Sequence, residues 1–281
     1  MPDRIAKRES RTTGLALRAA LLVPPIVLLI LGLTVWQVYV TAARVPDFLL
    51  PGPLAIWRSG VDQRVLLAAN ALPTIEIAVL GFLLSIVAGL ALALAIRYSR
   101  LLHMAVYPLV VVSQTIPMIA LAPILVVLLG FSLLPKLIIV ALICFFPIVV
   151  NTVDGFESVD PDLVNLLRTL GAGRFQILRE VEWPSALPYI FSGAKVAATF
   201  SVVGALYGEW VGSSEGLGYL MIQKMSEFDT TVIFAALVIL AALGMTLFLL
   251  VAALERLCMP WQSRERKRSA LPYLRQRKGT R

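Results

Sequence analysis

The 281-residue sequence has two cysteines, one histidine and only 15% charged residues, and each scarcity excludes a class of function. Two thiols in separate stretches, Cys144 and Cys258, build no disulfide framework, and both read as packing residues. The solitary His103 stands beside the turn carrying Arg97 and Arg100, with no thiol or carboxylate close by to complete a metal site. No G-x-x-x-x-G-K-[ST] occurs, and no glycine is followed by lysine anywhere, so no P-loop cradles nucleotide phosphates. So little charge, with 59% hydrophobic residues and a mean hydropathy of +0.85, excludes an ordinary soluble domain and points to a polytopic membrane protein.

What is present in quantity is membrane-crossing length. A hydrocarbon core of about 30 Å takes about 20 apolar residues in a helix. Runs at 19–40, 77–96, 104–134, 137–153, 187–208 and 231–254 meet or approach that length, with only Lys195 interrupting the fifth. The first follows basic residues as a signal peptide would, but it exceeds the roughly 7–15 residues of a typical signal core and reads as a span. The expected fold is an all-α polytopic protein of six transmembrane helices.

The net charge of +8 does not mark a nucleic-acid binder, because its distribution follows the loops. Nineteen of the 25 basic residues fall in the N-terminal tail, the Arg97–Arg100 turn, the polar segment with Arg168, Arg174 and Arg179, and the C-terminal tail. The opposite loops hold Arg44, Arg58, Arg64, Lys136 and Lys224. The positive-inside rule therefore puts both termini and the polar segment in the cytoplasm, as an even span count also requires. The cluster Arg264 to Arg268 reads as a topology anchor that meets anionic headgroups of membrane lipid. The organisation expected is a basic tail at 1–18, a first span at 19–40, an outer segment at 41–72, a five-helix core at 73–257 with a cytoplasmic loop at 154–187, and a basic tail at 258–281.

Within the outer segment, Pro46, Pro51, Gly52 and Pro53 mark an extended turn, and 54–71 suggests a short helix on the outer surface. In the run 104–134, Pro108, Pro117 and Pro123 leave two readings: one kinked helix, or a broken helix bordering a cavity. The second would place Ser113, Gln114 and Thr115 near a translocation path. The fifth span is dense in small residues, as close helix approach in membranes requires. Lys195 within it reads as a snorkelling or interface lysine. Glu209, towards the other end, is a pathway or gate candidate.

The polar segment has the plan of a short helix. Asp160 is an N-cap followed by Pro161 at the first helical position; Leu163, Leu166, Leu167 and Leu170 form an apolar stripe; Gly171 is placed to end the helix in the left-handed region. A second helix is expected from Gly173, carrying Phe175, Leu178 and Val181 until Trp183 and Pro184 stop it.

This segment resembles the cytoplasmic loop of permease subunits of bacterial ABC importers, whose signature is Glu-Ala-Ala, three residues, Gly, nine residues, then Ile-x-Leu-Pro. Here Asn165, Leu166 and Leu167 stand at the first three positions, Gly171 at the glycine, and Val181 to Pro184 at the last four. The spacing matches throughout, while the glutamate is replaced by Asn165 and the leucine by Trp183. The resemblance implies a type I importer permease of the bacterial inner membrane, with 161–171 as a coupling helix seated in a groove of a cytoplasmic ATPase. It assigns ATPase coupling to Asn165, Leu166, Leu167, Gly171, Val181 and Pro184. It further implies a permease homodimer, an extracytoplasmic substrate-binding protein, and ATP used only by the partner subunit, with no cofactor on this chain.

The stretches IPMIALAPILVVLLGF, FFPIVVNTVDGFESVDPDL and GEWVGSSEGLGYLM resemble the branch handling nitrate, sulfonates and taurine, and SQTIPMIALAP is nearest to permeases for riboflavin or a thiamine pyrimidine precursor. A membrane-embedded enzyme would need clustered acids or nucleophile and base pairs. An ion-driven secondary transporter would normally need ionisable groups near the midplane and repeated halves. Neither pattern stands in the sequence.

Overall fold

The computed structural model describes residues 23–260. The N-terminal basic tail, the start of the first apolar run and the C-terminal tail from 261 onward lie outside the described residues. Eleven helices are described: α1 Val23–Ala42, α2 Pro53–Asp62, α3 Arg64–Tyr98, α4 Arg100–Ser113, α5 Met118–Leu129, α6 Leu133–Glu157, α7 Pro161–Thr169, α8 Arg174–Ile177, α9 Trp183–Gly212, α10 Leu217–Ser226 and α11 Thr230–Cys258. The described residues divide into two compact units, one of 23–64 with 224–235, the other of 65–223 with 236–260.

In the first unit the connection after α1 is held by side chains. Gln37 Oε1 accepts from Leu54 N at 3.1 Å, at the start of α2, where Pro53 suits the first helical position. The Trp36 and Phe234 rings lie 6.0 Å apart, and Thr230 Oγ1 donates to the Asp47 carbonyl. The surface helix expected over 54–71 ends at Asp62; residues 65–71 belong instead to α3, which runs for 35 residues. Pro73 lies inside that helix without ending it. An internal proline frees a carbonyl and bends the axis, which packed membrane helices tolerate.

The second unit is built around α6. Glycines let both α3 and α9 approach it closely. A Cβ on Gly81 would fall 2.5 Å from Val140, and one on Gly89 2.7 Å from Ile148. On the α9 side, a Cβ on Gly193 would meet the Pro147 carbonyl oxygen at 2.5 Å, and one on Gly204 the Val140 Cα at 2.9 Å. These pairings run in the same direction for α3 and α6 and in opposite directions for α6 and α9.

That pairing settles the run 104–134. It is broken into α4 and α5, bent by 100°, with Pro117 preceding α5 and forcing Ile116 out of helical geometry. Pro108 and Pro123 lie within the two helices. Because α3 and α6 are parallel, α4 and α5 together must return the chain from the Arg97 end to the Lys136 end. The ends agree: Val110 of α4 clusters with Ala93 and Val153, while Val126 of α5 touches Gly212 of α9. Among the described residues five other helices are long and apolar enough to cross a membrane, α8 and α9 counting as one, and the broken pair, taken as one span, makes a sixth.

Lys195 gains a partner the sequence does not reveal: its Nζ pairs with Glu255 Oε2 of α11 at 2.8 Å, both side chains 22% exposed. Two expectations are corrected. Cys144 is buried packing, but Cys258 is exposed. Trp183 and Pro184 do not stop a helix; α8 runs through a single π-turn, Leu178–Glu182, into α9. Its wider spacing removes the clash between a proline ring and the carbonyl four residues earlier.

Candidate functional site

The polar segment between α6 and α9 folds as its caps dictate. Asp160 accepts from Asp162 N at 2.9 Å and Pro161 takes the first helical position of α7. At the other end Gly171 has φ +85°, its N–H bonds the Arg168 carbonyl at 3.0 Å, and Ala172 N bonds the Leu167 carbonyl at 3.0 Å. This pair of bonds is a Schellman motif, which satisfies two of the orphan carbonyls at the helix end.

The stripe divides into two faces. Val164 is buried and, with Val159 and Ile177, forms a small core against which Leu167, Ala172 and Val181 pack. Leu167 therefore faces inward, contrary to its place in the expected stripe. Leu163, Leu166 and Leu170 face out at 43, 55 and 74% exposure, joined by Phe175 at 74%. The physical reason is that four apolar residues on a nine-residue helix, with Leu170 at its C-cap, exceed one face: 164 and 167 fold inward, leaving 163, 166 and 170 at i, i+3 and i+7. Asn165 is exposed on the same short helix. Pro184 sits at the start of α9, half-buried.

Two residues absent from the sequence-based set join this site. Glu182, within the π-turn and 5% exposed, forms an ion pair with Arg97 at the end of α3. A charge taken out of water needs such a partner. The signal available in sequence was a lone carboxylate between Val181 and Trp183. Beside the pair is a crevice of about 210 Å³ lined by Arg97, Tyr98, Arg168, Arg174, Ile177 and Glu182.

At the opposite end of the core, Glu209 is 1% exposed, and its Oε2 accepts from Gly218 N at 2.7 Å. Gly216 N bonds Asn70 Oδ1 at 3.1 Å and Leu217 N bonds Thr74 Oγ1 at 2.9 Å. Three consecutive N–H groups at the start of α10, which the helix cannot itself satisfy, are thus held by α3 and α9. Gly216 is required there twice over, by φ +109° and because a Cβ would overlap the Glu209 carboxylate. Next to this loop a polar cleft of about 490 Å³ is lined by Glu76, Ser132, Lys136, Ser213 and Glu215, among others. Lys136 Nζ donates to Ser213 Oγ at 2.8 Å.

Ser113, Gln114 and Thr115 occupy the break between α4 and α5. Ser113 and Thr115 turn their hydroxyls back onto the Val110 and Val112 carbonyls at 2.6 and 2.8 Å, and Gln114 is exposed. They are not brought together with Glu209 by any hydrogen bond described.

A family profile described as the inner membrane component of binding-protein-dependent transport systems matches residues 81–259. The formylaminopyrimidine transport permease protein ThiX of Halalkalibacterium halodurans is 38% identical, over 86% of this chain and 96% of that protein. The riboflavin transport system permease protein RibX of Chloroflexus aurantiacus is 37% identical, over 85% of this chain and 90% of its own length. A putative aliphatic sulfonates transport permease, SsuC of Bacillus subtilis, is 28% identical over 86% and 87%. A chain of the inward-facing MetNI methionine ABC transporter has the same fold, with TM-score 0.61 at 22% identity, covering 69% of this chain and 97% of that one. The spaced loop signature, the six crossings and these matches agree, and the chain belongs to the binding-protein-dependent transport family as an inner-membrane permease component of an ABC importer, a transport component rather than an enzyme.

Proposed function

We propose that this permease imports a heteroaromatic vitamin or vitamin precursor, riboflavin or a thiamine pyrimidine precursor, with α7 as the helix that receives the stroke of a cytoplasmic ATPase. The observation that carries the coupling role is the outward apolar face of Leu163, Leu166 and Leu170 on α7, a helix capped at both ends, with Phe175 of α8 also exposed. Exposed apolar surface grouped on a polar connection between spans has to be covered by a partner. Two permease copies, each seated on one ATPase, satisfy the two-fold symmetry commonest among oligomers. Both termini and α7 lie on the cytoplasmic side by the distribution of basic residues. The polar cleft with Glu76, Lys136 and Glu215 then opens outward, where a binding protein delivers solute. The break at Ser113, Gln114 and Thr115 borders the pathway, and Glu209 holds the loop at its mouth. This chain binds no cofactor; ATP is used by the partner.

ATP drives import only if it favours one arrangement of the two permease copies over the other. A rigid helix in an ATPase groove transmits that preference without itself meeting nucleotide. Detergent extraction of the permease with its co-expressed ATPase tests the pairing. The wild-type chain is expected to retain the ATPase, and Leu166→Glu to weaken retention by at least about tenfold, since each buried leucine contributes about 1.5–3 kcal/mol. A wild-type permease that captures no ATPase would sink the coupling role.

The solute class rests on the two relatives at 38 and 37% identity, against 28% for the sulfonate permease. A thermal-shift screen of the partner binding protein against riboflavin, formylaminopyrimidine, taurine, alkanesulfonates and nitrate decides it. A true ligand at about 100 times its Kd stabilises by about 2.7 kcal/mol, and the first two compounds are expected to do so. A response to sulfonates, taurine or nitrate alone would overturn the vitamin assignment.

A further inference from the structure

Where α7 meets the spans, three helix ends converge on one point. Glu182 pairs with Arg97 at the end of α3, and Trp183 places its ring 6.3 Å from Phe156 near the end of α6. Both residues lie at the junction of the π-turn with α9. The small core of Val159, Val164 and Ile177 fixes α7 to α8 on the other side of that turn. The carboxylate is almost fully removed from solvent, while Arg97 keeps 32% of its side chain exposed. A buried carboxylate facing a guanidinium has a defined direction as well as an attraction, because planar guanidinium donors match carboxylate oxygens only in a narrow set of poses. Purely apolar packing at this point would permit sliding; the ion pair does not.

We propose that the Arg97–Glu182 pair is the rigid joint through which movement of α7 reaches α3 as well as α9. This rests on α7 being the coupling helix. The π-turn alone would leave α7 joined to α9 by a widened and deformable stretch. With the pair in place, α7, α8 and the ends of α3, α6 and α9 move as one body, and the stroke is delivered to three spans rather than one. Arg97 and Glu182 are positioning residues; neither touches solute. They also offer this chain a fixed point close to its coupling helix, where Asn165 replaces the signature glutamate.

Spin labels at Thr169→Cys and Arg100→Cys, both exposed positions, in a Cys258→Ser background report the joint; Cys144 is buried and stays unlabelled. The permease is reconstituted in nanodiscs with its ATPase, diluted with unlabelled copies so that only distances within one chain are read. In the otherwise wild-type chain, one narrow distance is expected, unchanged between the nucleotide-free and ATP–vanadate states. Arg97→Gln and Glu182→Gln are expected to broaden it severalfold and make it shift with nucleotide, while ATP hydrolysis persists. The reversed pair, Arg97→Glu with Glu182→Arg, is expected to restore the narrow distance.

A wild-type distance that shifts with nucleotide overturns the proposal, as do single variants that stay narrow or a reversed pair that stays broad. Hydrolysis lost in step with the broadening also overturns it, since that marks a collapsed segment rather than a loosened joint. Should neither single variant accumulate, the wild-type comparison decides by itself. Failure of the wild-type permease to retain its ATPase would count against the coupling role of α7, a separate result from any of these.

Discussion

Gly193→Leu is expected to remove folded permease from the membrane. The glycine stands where α9 crosses α6: a Cβ would lie 2.5 Å from the Pro147 carbonyl oxygen and 2.9 Å from Asn151 Cβ. The first obstacle is backbone, and the Pro147 carbonyl already accepts from Asn151 Nδ2 at 2.7 Å, so it cannot swing aside without breaking that bond. Overpacking in an ordinary core costs about 1–3 kcal/mol. Here the helices must also separate along a shared length, where contact between small residues is the main attraction available in lipid. Fluorescence-detected size exclusion of a tagged chain provides the measurement, with loss of the monodisperse peak expected. Gly32→Leu on α1, where nothing stands within 4 Å, is expected to keep it. A monodisperse Gly193→Leu protein at wild-type yield would reject the α6–α9 contact.

The second large effect is functional rather than structural. Gly171→Val meets no atom within 4 Å, so its penalty is conformational: φ +85° belongs to the left-handed region. An L-residue there costs about 1–2 kcal/mol, more for a branched side chain. The helix end would unwind, releasing the bonds at the Arg168 and Leu167 carbonyls and re-aiming Leu170. Uptake in proteoliposomes is expected to fall at least about tenfold, an amount equal to roughly 1.4 kcal/mol of lost coupling. ATP hydrolysis and yield should stay near wild type. Gly171→Asn should retain most uptake, because asparagine tolerates this conformation. Undiminished import by Gly171→Val would refute the coupling assignment. The two glycines separate cleanly: Gly193 is needed for space, Gly171 for dihedral freedom.

The cap, the proline and the glycine of α7 were all legible in sequence because they act within a few residues of one another. Asp160 bonds two residues on, and Gly171 closes bonds no more than five residues long. Which leucines face outward was only half legible. A helical stripe says which residues share a face, not which of two adjacent faces packs inward, and Leu167 was decided by Val159 and Ile177 on flanking segments. The second helix continues past the end that sequence predicts, because Trp183–Pro184 is only a local stop signal. The π-turn that overrides it lies where the Trp183 ring stands 6.3 Å from Phe156 and Glu182 pairs with Arg97, contacts with residues far away in the chain.

Glu209 shows the same division. Sequence marks a carboxylate near the end of a span and invites a pathway role. The structure shows that it holds Gly218 N, while Asn70 and Thr74 hold the two preceding donors from far away in the chain. Lys195 likewise reads alone as a cation seeking the interface, and its partner Glu255 lies sixty residues on.

Hydropathy by itself determined the long apolar runs, and Asp160, Pro161 and Gly171 the position and caps of α7, while the spacing from Asn165 through Gly171 to Pro184 carried the resemblance to the permease family. These are properties of short windows, where the physics of burial and of backbone dihedrals is local. Tertiary structure alone decided that α4 and α5 form one broken crossing, that Leu163, Leu166 and Leu170 stay uncovered, and that Arg97 meets Glu182. Each of those depends on which distant helix occupies the neighbouring space, and no window of sequence contains both partners.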